Sequence, residues 1–223
     1  MKNVVNYLVL VNKENKLPSD WDKTIKLKGI KNFEGDIVYV EEETLNNFLR
    51  LKEALKNENI EIEIDSAYRK VEEQERIFND FKEKYGIDYV NRYVAIPGYS
   101  EHHTGLVIDI CLKVNDKYIY DNDEMMKQEE VFNKIHKKLM NYGFILRYPK
   151  GKEYITGYNY EPWHFRYVGS IAKEITLENL TLEEYLSKEK EKELKCCKKV
   201  IMITGSIEER KKQIKEALSE LNF

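Results

Sequence analysis

The chain has 223 residues, of which 42% are hydrophobic and 35% are charged, and its formal net charge is −3. This length suits one domain of ordinary size with a small appendage, and it is sufficient for a sizeable core. The charge balance argues against a nucleic-acid or anionic-membrane binder, and no apolar run is long enough to span a bilayer.

The first half of the chain reads as alternating short strands and amphipathic helices. Apolar residues at helical spacing predict two helices, the second of which is capped at its C-terminus by Gly86. Alternation of isoleucine with acidic residues predicts a strand with one face in water. In chain order we expect a strand at 5–12, a helix at 41–57, a strand at 60–69, a helix at 71–86 and a strand at 106–114.

The second half is predicted to add more helices and strands without a regular alternation. We expect a third helix from Asp123 to Tyr142, a strand–turn–strand unit at 143–157, a final strand at 162–169 and a helix that begins near Thr181. Irregular order favours an α+β fold with a central, mostly antiparallel sheet flanked by helices. We divide the chain into a domain at 1–186 and a charged tail at 187–223, which contains a possible strand at 200–205 and a last helix.

Cysteine usage and the N-terminal sequence bear on the compartment. The three cysteines, Cys111, Cys196 and Cys197, do not suit a disulfide framework, and Cys111 is expected to be a buried thiol. The N-terminal apolar run is short and lacks a small-residue cleavage site. We therefore expect a cytoplasmic protein, or a cell-envelope protein if an N-terminal anchor has been removed.

Three of the four histidines stand near acidic residues, in SEHHTG and EPWH, whereas His136 lies within the third predicted helix and is expected at the surface. A catalytic zinc site needs three nitrogen or oxygen ligands, and a further carboxylate that takes a proton from water. His102, Asp109 and His164, together with Glu161, supply this set.

Strand geometry is compatible with this grouping. Pro162 cannot join a sheet ladder and should bend the chain so that Glu161 and His164 converge. Gly105 should interrupt the strand that carries Asp109, which leaves the histidines before it on a loop. Two alternatives stay open from spacing alone: Asp109 is a surface turn residue, and the histidines are hydrogen-bonded polar residues, as we expect for His103.

Three segments carry a family resemblance. SEHHTGLVID resembles Ser-x-His-x-x-Gly-x-Ala-x-Asp, EPWH resembles Glu-x-x-His, and SAYR resembles Ser-x-Tyr-Arg. Together they resemble the zinc D-alanyl-D-alanine peptidases of the VanY and VanXY type, whose fold group includes lysostaphin-like enzymes and the hedgehog domain. The resemblance runs from about Tyr7 to about Leu186. Val107 departs from the pattern, where alanine is usual, which puts the pocket size in question.

The resemblance implies roles for individual residues. One Zn²⁺ would be bound by His102, Asp109 and His164, with Glu161 as general base and acid and Arg69 as the cation that meets the oxyanion. The residues expected to contact substrate are Ser100, Tyr68, Trp163, Ser66 and Gln74.

The implied activity is hydrolysis of the terminal D-Ala-D-Ala bond of peptidoglycan precursors, without nucleic-acid partners or stable membrane insertion. Alternatives are a bifunctional VanXY-like enzyme or a dipeptidase acting on free D-Ala-D-Ala. A non-catalytic binding module that retains the zinc scaffold is a further alternative, which the presence of both Glu161 and Arg69 disfavours.

Overall fold

A computed structural model of the chain describes residues 5–201 and 206–220. Its contacts divide the chain into two compact units, Met1–Glu183 and Glu184–Phe223. Within the described ranges, no helix combines the length and apolar character required to cross a membrane.

The elements are those of an α+β protein, as the sequence predicted. The strands are β1 Leu27–Lys31, β2 Ile37–Glu41, β3 Glu61–Ser66, β4 Val107–Val114, β5 Lys117–Ile119, β6 Phe144–Leu146 and β7 His164–Tyr167. The helices are α1 Glu42–Lys56, α2 Val71–Tyr85, α3 Ile87–Tyr93, α4 Asn122–Met126, α5 Glu129–Leu139, α6 Glu153–Thr156, α7 Ala172–Leu177, α8 Leu182–Ile201 and α9 Ile207–Glu220. Short 3₁₀ turns include Glu101–Thr104 and Met140–Tyr142.

The central sheet has five strands in the order β3-β4-β7-β6, with β5 paired to β4, and β1 and β2 form a separate hairpin. Every described strand pair is antiparallel, so the predicted architecture is confirmed. The register of β4 and β7 pairs Val107 with Arg166 and continues without a shift to Asp109 and His164. The strand pairing is therefore continuous from Val107, the departure from the family pattern, to the predicted ligands.

The core lies between one face of this sheet and helices α1 and α5. The alternation predicted for β3 is confirmed, because Ile62 and Ile64 are buried while Glu61 is exposed. The helical face predicted for the third helix is also confirmed, because Phe132, Ile135 and Leu139 are buried. Of the α1 face predicted at Leu45, Phe48, Leu49 and Leu55, the prediction is wrong for Leu49, which is 43% exposed, whereas the other three are buried together with Leu51.

The predicted strand at 5–12 is wrong, although Val9 and Val11 are buried as its pattern suggested. The backbone carbonyls of Tyr7 and Val9 accept hydrogen bonds from the Arg166 guanidinium, at 3.1 and 2.7 Å. The buried Arg166 side chain thus provides the hydrogen bonds that these two carbonyl groups would accept from a neighbouring strand in a sheet.

Three other boundaries differ from the predictions. The third helix is interrupted at 127–128, and its end at Gly143 is reached through the 3₁₀ turn. The return strand at 143–157 is absent, because the chain forms the short helix α6 between Gly151 and Gly157, whose φ values are 80° and 75°. In the tail, α8 continues through Ile201, so the strand predicted at 200–205 is wrong for its first two residues, and 202–205 lie outside the described residues.

Candidate active site

Adjacent central strands bring two of the predicted ligands together. Asp109 on β4 and His164 on β7 are direct cross-strand partners, so their side chains project from the same face of the sheet. His102 lies on the 3₁₀ turn Glu101–Thr104, which ends at Gly105 with φ 71°. That left-handed residue redirects the chain into β4, so His102 stays on a loop above Asp109.

The three side chains converge on one point. His102 Nε2 lies 3.1 Å from Asp109 Oδ2, and His164 Nδ1 lies 2.9 Å from Asp109 Oδ1. One ligand atom from each residue lies within 4.8 Å of the others. Nitrogen and carboxylate oxygen in this number form the donor set of a catalytic zinc site.

Hydrogen bonds fix which nitrogen of His102 faces that point. Its Nδ1 lies 2.6 Å from the carbonyl oxygen of Ala67. Because a carbonyl oxygen can only accept a hydrogen bond, Nδ1 must carry the ring proton and donate it to this bond. The Nε2 lone pair is therefore free to bind a cation. A backbone carbonyl in this position is the usual outer-shell partner of a metal-binding histidine.

His164 has the opposite arrangement. Its Nε2 is buried without a hydrogen-bond partner and lies 3.5 Å from Glu101 Oε2, which also lacks a partner. With the proton on Nε2, Nδ1 presents a lone pair to Asp109 Oδ1, another buried atom without a partner. Two acceptors 2.9 Å apart repel each other unless a proton or a cation lies between them. Although burial alone would lower it, the Asp109 carboxylate raises the pKa of His164 to about 9, so the pair attracts positive charge and fits a metal ion.

The neighbouring His103 cannot serve in the same way. Its Nδ1 lies 2.6 Å from the carbonyl oxygen of Arg69, and its Nε2 accepts from the backbone N–H of Gly98 at 3.1 Å. Both ring nitrogens are therefore occupied by the backbone. His103 joins two loops of the site but has no lone pair left for a metal.

Glu101 is a residue that sequence reasoning missed. It is 2% exposed, and its Oε1 accepts from Arg147 Nε at 2.8 Å and Arg166 Nη1 at 2.7 Å. Although burial alone would raise it, these guanidinium groups hold the pKa of Glu101 far below its usual range. Arg147 also donates to Glu183. The second Glu101 oxygen is thereby fixed as an anion facing His164.

Glu161 and Arg69 flank the ligand triplet. Glu161 Oε2 lies 3.6 Å from His164 Nδ1, and burial raises the pKa of Glu161 to about 7. Such a value suits a group that takes up and returns a proton near neutral pH. Arg69 is oriented by two other predicted residues, because its Nη1 donates to Gln74 Oε1 and its Nη2 to Ser66 Oγ.

The ligands open into a cavity of about 580 Å³. Of the predicted residues, Arg69, Gln74, Ser100, His102, Asp109, Glu161, Trp163 and His164 line it. Tyr68 and Ser66 are not among the described residues on its wall; Ser66 adjoins the site as the cross-strand partner of Asp109 and as an acceptor for Arg69.

Further wall residues, also missed from the sequence, are Asp65, Tyr148 and Tyr158. Burial and the nearby Asp109 carboxylate raise the pKa of Asp65 to about 6. A register shift between Ile64 and Ser66, where β3 pairs with β4, marks the position of Asp65.

His136, predicted at the surface, is instead mostly buried. Its Nε2 donates to the carbonyl oxygen of Pro162 at 2.9 Å, and its ring packs against Phe132 and Phe165. This bond ties α5 to the bend between Glu161 and His164. The lysines that follow it in sequence suggested exposure, but the helical face that carries Phe132 turns it inward.

Two histidines and an aspartate around one point, with a carboxylate of raised pKa beside them in an open cavity, have the composition of a single-metal hydrolase site. Over residues 37–170 the chain matches the family described as VanY, D-alanyl-D-alanine carboxypeptidase. The chain belongs to this family, and the resemblance drawn from the motifs is confirmed.

Individual relatives agree with the family assignment. The chain is 37% identical over 185 residues to the bifunctional D-Ala-D-Ala dipeptidase and D-Ala-D-Ala carboxypeptidase VanXYC of Enterococcus gallinarum, covering 81% of this chain and 94% of that protein. A VanY D,D-pentapeptidase mutant from a VanB-type resistance cassette, solved with Zn(II), superposes with a TM-score of 0.69 at 30% identity, covering 81% of this chain and 98% of that one. The LdcB LD-carboxypeptidase also gives 0.69, at 35% identity, covering 82% of this chain and 86% of that one.

Proposed function

We propose that this protein is a zinc-dependent D,D-carboxypeptidase that removes the terminal D-alanine from peptides ending in D-Ala-D-Ala. The observation that carries the proposal is the convergence of His102 Nε2, Asp109 and His164 Nδ1 beside Glu161. The family assignment and the VanY relative solved with Zn(II) support the same reading.

The ligand triplet would hold one zinc ion, which supplies Lewis acidity and an acidified water when bound. Glu161 takes the proton of the attacking water and returns it to the amine of the leaving D-alanine. The raised pKa of Glu161 makes both transfers accessible near neutral pH. Its carboxylate lies 3.6 Å from His164 Nδ1, too far for a hydrogen bond, so it is available to bind the attacking water.

Arg69 is placed to meet the negative charge that develops on the carbonyl oxygen. Gln74 and Ser66 hold its guanidinium, so it need not reorganise during the reaction. Arginine is suited to this position because it stays charged and offers a planar array of donors. Glu161 and Arg69 both line the cavity, which also disfavours a non-catalytic binding module.

Ser100 is the candidate donor for the substrate's terminal carboxylate. It is 3% exposed, lines the cavity, and its Oγ accepts from the backbone N–H of His102 at 3.3 Å. Its hydroxyl proton remains available to donate. A site built to bind a carboxylate rejects ligands that lack it, since its own polar atoms are then left unpaired. We expect a D-Ala-D-Ala amide to be cleaved far more slowly than the free acid; equal rates would remove Ser100 from this role.

A second candidate is L,D-carboxypeptidase activity, which cleaves before the last residue of a shortened stem peptide. The superposition on the LdcB LD-carboxypeptidase at 35% identity supports this candidate activity. Dipeptidase activity on free D-Ala-D-Ala is a third possibility, supported by the 37% identity to VanXYC. The three activities would use the same cavity and would differ in the C-terminal residues and the length of the peptide that it accepts.

The decisive experiment measures D-alanine release from three substrates. These are L-Ala-γ-D-Glu-L-Lys-D-Ala-D-Ala, the corresponding tetrapeptide that ends in a single D-Ala, and free D-Ala-D-Ala. We expect turnover of the pentapeptide, its loss with a chelator and its recovery with added zinc. Turnover of the tetrapeptide in place of the pentapeptide would replace the proposal with the L,D activity.

We place the enzyme in the cytoplasm, where free D-Ala-D-Ala and soluble precursors would meet it. The support is the buried, unpaired thiol of Cys111, which suits a reducing compartment. Fractionation of the native cell with an antibody against the protein tests this placement.

A further inference from the structure

Four aromatic rings on α2 and α3 form a continuous row, here called the aromatic row: Phe81, Tyr85, Tyr89 and Tyr93. Tyr89 lies at its centre, with its ring centroid 4.6 Å from Tyr85, 4.7 Å from Tyr93 and 6.1 Å from Phe81. Phe81 and Tyr85 lie 5.7 Å apart. At these separations the rings are in contact, stacked in two of the pairs and tilted in the other two.

The aromatic row is not part of a core. Phe81 is 37% exposed, and Tyr85 and Tyr93 are each 48% exposed. Its rings belong to neither of the clusters of buried apolar residues described for this chain. Ile87 and Ile96, on and just after α3, are also exposed. Contiguous exposed apolar surface of this kind typically marks a binding surface.

The position of the aromatic row connects it to the reaction. Phe81, Tyr89 and Tyr93 line the same cavity as the three candidate zinc ligands and Glu161. Its volume of about 580 Å³ lies in the range that holds a drug-sized ligand. A dipeptide with two methyl side chains fills only part of such a space, so a larger part of the substrate can reach the rings.

The direction of the substrate then follows from the chemistry of the proposed function, on which this inference rests. The leaving residue of a carboxypeptidase ends the substrate, and its carboxylate is bound within the site. The part of the substrate that extends from the scissile bond to the exposed rings must therefore be the acyl part, that is, the residues that precede the leaving D-alanine. We propose that the aromatic row binds the peptide residues that precede D-Ala-D-Ala, and so favours stem peptides over the free dipeptide.

The chemistry of the rings suits that occupant. Flat aromatic faces stack on peptide planes and on the aliphatic part of a long side chain such as that of lysine, and the tyrosine hydroxyls stay hydrated. A neighbouring lysine already makes a cation–π contact with the row, because Lys84 Nζ lies 4.8 Å from the centre of the Tyr85 ring. The centre of the row, Tyr89, is half-buried and held between its neighbours, so it loses little freedom on binding.

The test compares substrates of increasing length. Tyr93→Ser and Tyr89→Leu are assayed on free D-Ala-D-Ala, Nα-acetyl-L-Lys-D-Ala-D-Ala and the pentapeptide, with zinc present. Tyr154→Ser is the matched control, because Tyr154 is 82% exposed and is not among the described residues lining the cavity. We expect each substitution in the row to lower the kcat/KM ratio of pentapeptide to dipeptide about five- to tenfold, through KM. The control should leave that ratio unchanged.

Three results would overturn the inference. An unchanged ratio would mean that the row does not contact the peptide. An equal loss on all substrates would mean that the rings only support the fold of the site. A loss confined to a disaccharide-linked pentapeptide, with the free pentapeptide unaffected, would make the occupant a glycan.

A binding assay separates this inference from the proposed function. Calorimetry measures the Kd of the pentapeptide for Glu161→Gln, with and without Tyr93→Ser. A five- to tenfold weakening supports the inference even if the wild-type enzyme shows no turnover, which would contradict only the proposed function. Equal Kd values would overturn the inference whatever the turnover.

Discussion

Replacing Glu101 by glutamine tests how the protein fixes the second histidine of the candidate zinc site. Glu101 Oε1 accepts from Arg147 and Arg166, and Oε2 faces His164 Nε2 at 3.5 Å. Glutamine keeps one oxygen for the two arginines but turns its NH₂ group towards His164. That group donates, so it favours a lone pair on Nε2 and a proton on Nδ1, where the metal should bind.

Two effects of different size are expected. Removing an outer-shell partner of a metal-binding histidine typically weakens metal affinity 10- to 100-fold, or about 1.4–2.7 kcal/mol. Leaving two buried guanidinium groups with one carboxylate fewer also lowers the free energy of unfolding. Breaking a buried ion pair costs about 3–5 kcal/mol, and glutamine should come near the lower figure because it still accepts from both arginines.

The assay measures the zinc Kd by competition with a chromophoric chelator, together with the free energy of unfolding of the apoprotein in urea. Glu183→Gln is the matched control, because Glu183 accepts from Arg147 Nη1 and Nη2 in the same network, and its described contacts do not include His164. We expect both variants to be destabilised and only Glu101→Gln to lose zinc affinity. Equal zinc Kd values for Glu101→Gln and the wild type would refute the positioning role.

Three further predictions concern individual side chains. His102→Ala should lose zinc in metal analysis while His103→Ala retains it, since both ring nitrogens of His103 are bonded to backbone groups; the reverse result would exchange their roles. Glu161→Gln should retain zinc yet lower kcat by about 10²–10⁴; near wild-type turnover would exclude Glu161 as the base. Burial lowers the pKa of His136 to about 4 from its usual 6.5, so between these pH values the unfolded chain binds a proton that the folded chain does not. The free energy of unfolding should therefore fall on acidification by up to about 3 kcal/mol more in the wild type than in His136→Gln; parallel urea-denaturation curves across this pH range would contradict the buried, neutral histidine.

Local patterns were sufficient to predict the elements that carry the site. The alternation in β3, the helix α1 and the strand after Pro162 were all confirmed, because each is set by neighbours a few residues away. The first predicted strand failed for a non-local reason. Its alternation is real, but the carbonyls of Tyr7 and Val9 are taken by Arg166, far along the chain.

The candidate site divides in the same way. Residue types and spacing were enough to select His102, Asp109, Glu161 and His164, which the structure brings together. They could not exclude His103 by geometry, because its partners, Gly98 N–H and the Arg69 carbonyl, belong to other loops.

Glu101 was missed for a related reason. It stands directly before His102, but its arginine partners lie 46 and 65 residues further along the chain. No spacing rule connects residues that meet only when β4, β6 and β7 have assembled. The sequence contains all three residues, Glu101 inside SEHH and the arginines Arg147 and Arg166 in two predicted strands, but it does not indicate that they meet.

The distribution of charge explains how so many ionised groups are tolerated around one buried point. Beneath the site, the carboxylates of Glu101 and Glu183 face the guanidinium groups of Arg147 and Arg166, so this network is neutral by itself. Above it, Zn²⁺ would be balanced by Asp109 and the ionised form of Glu161. Without the ion, Asp109 lies against two imidazoles and a second carboxylate, an arrangement stable only if a proton or a cation joins it. Because the lower network is already neutral, it does not supply this positive charge. Either a proton on His164, whose pKa Asp109 raises to about 9 against the effect of burial, or a metal ion that arrives through the cavity supplies it.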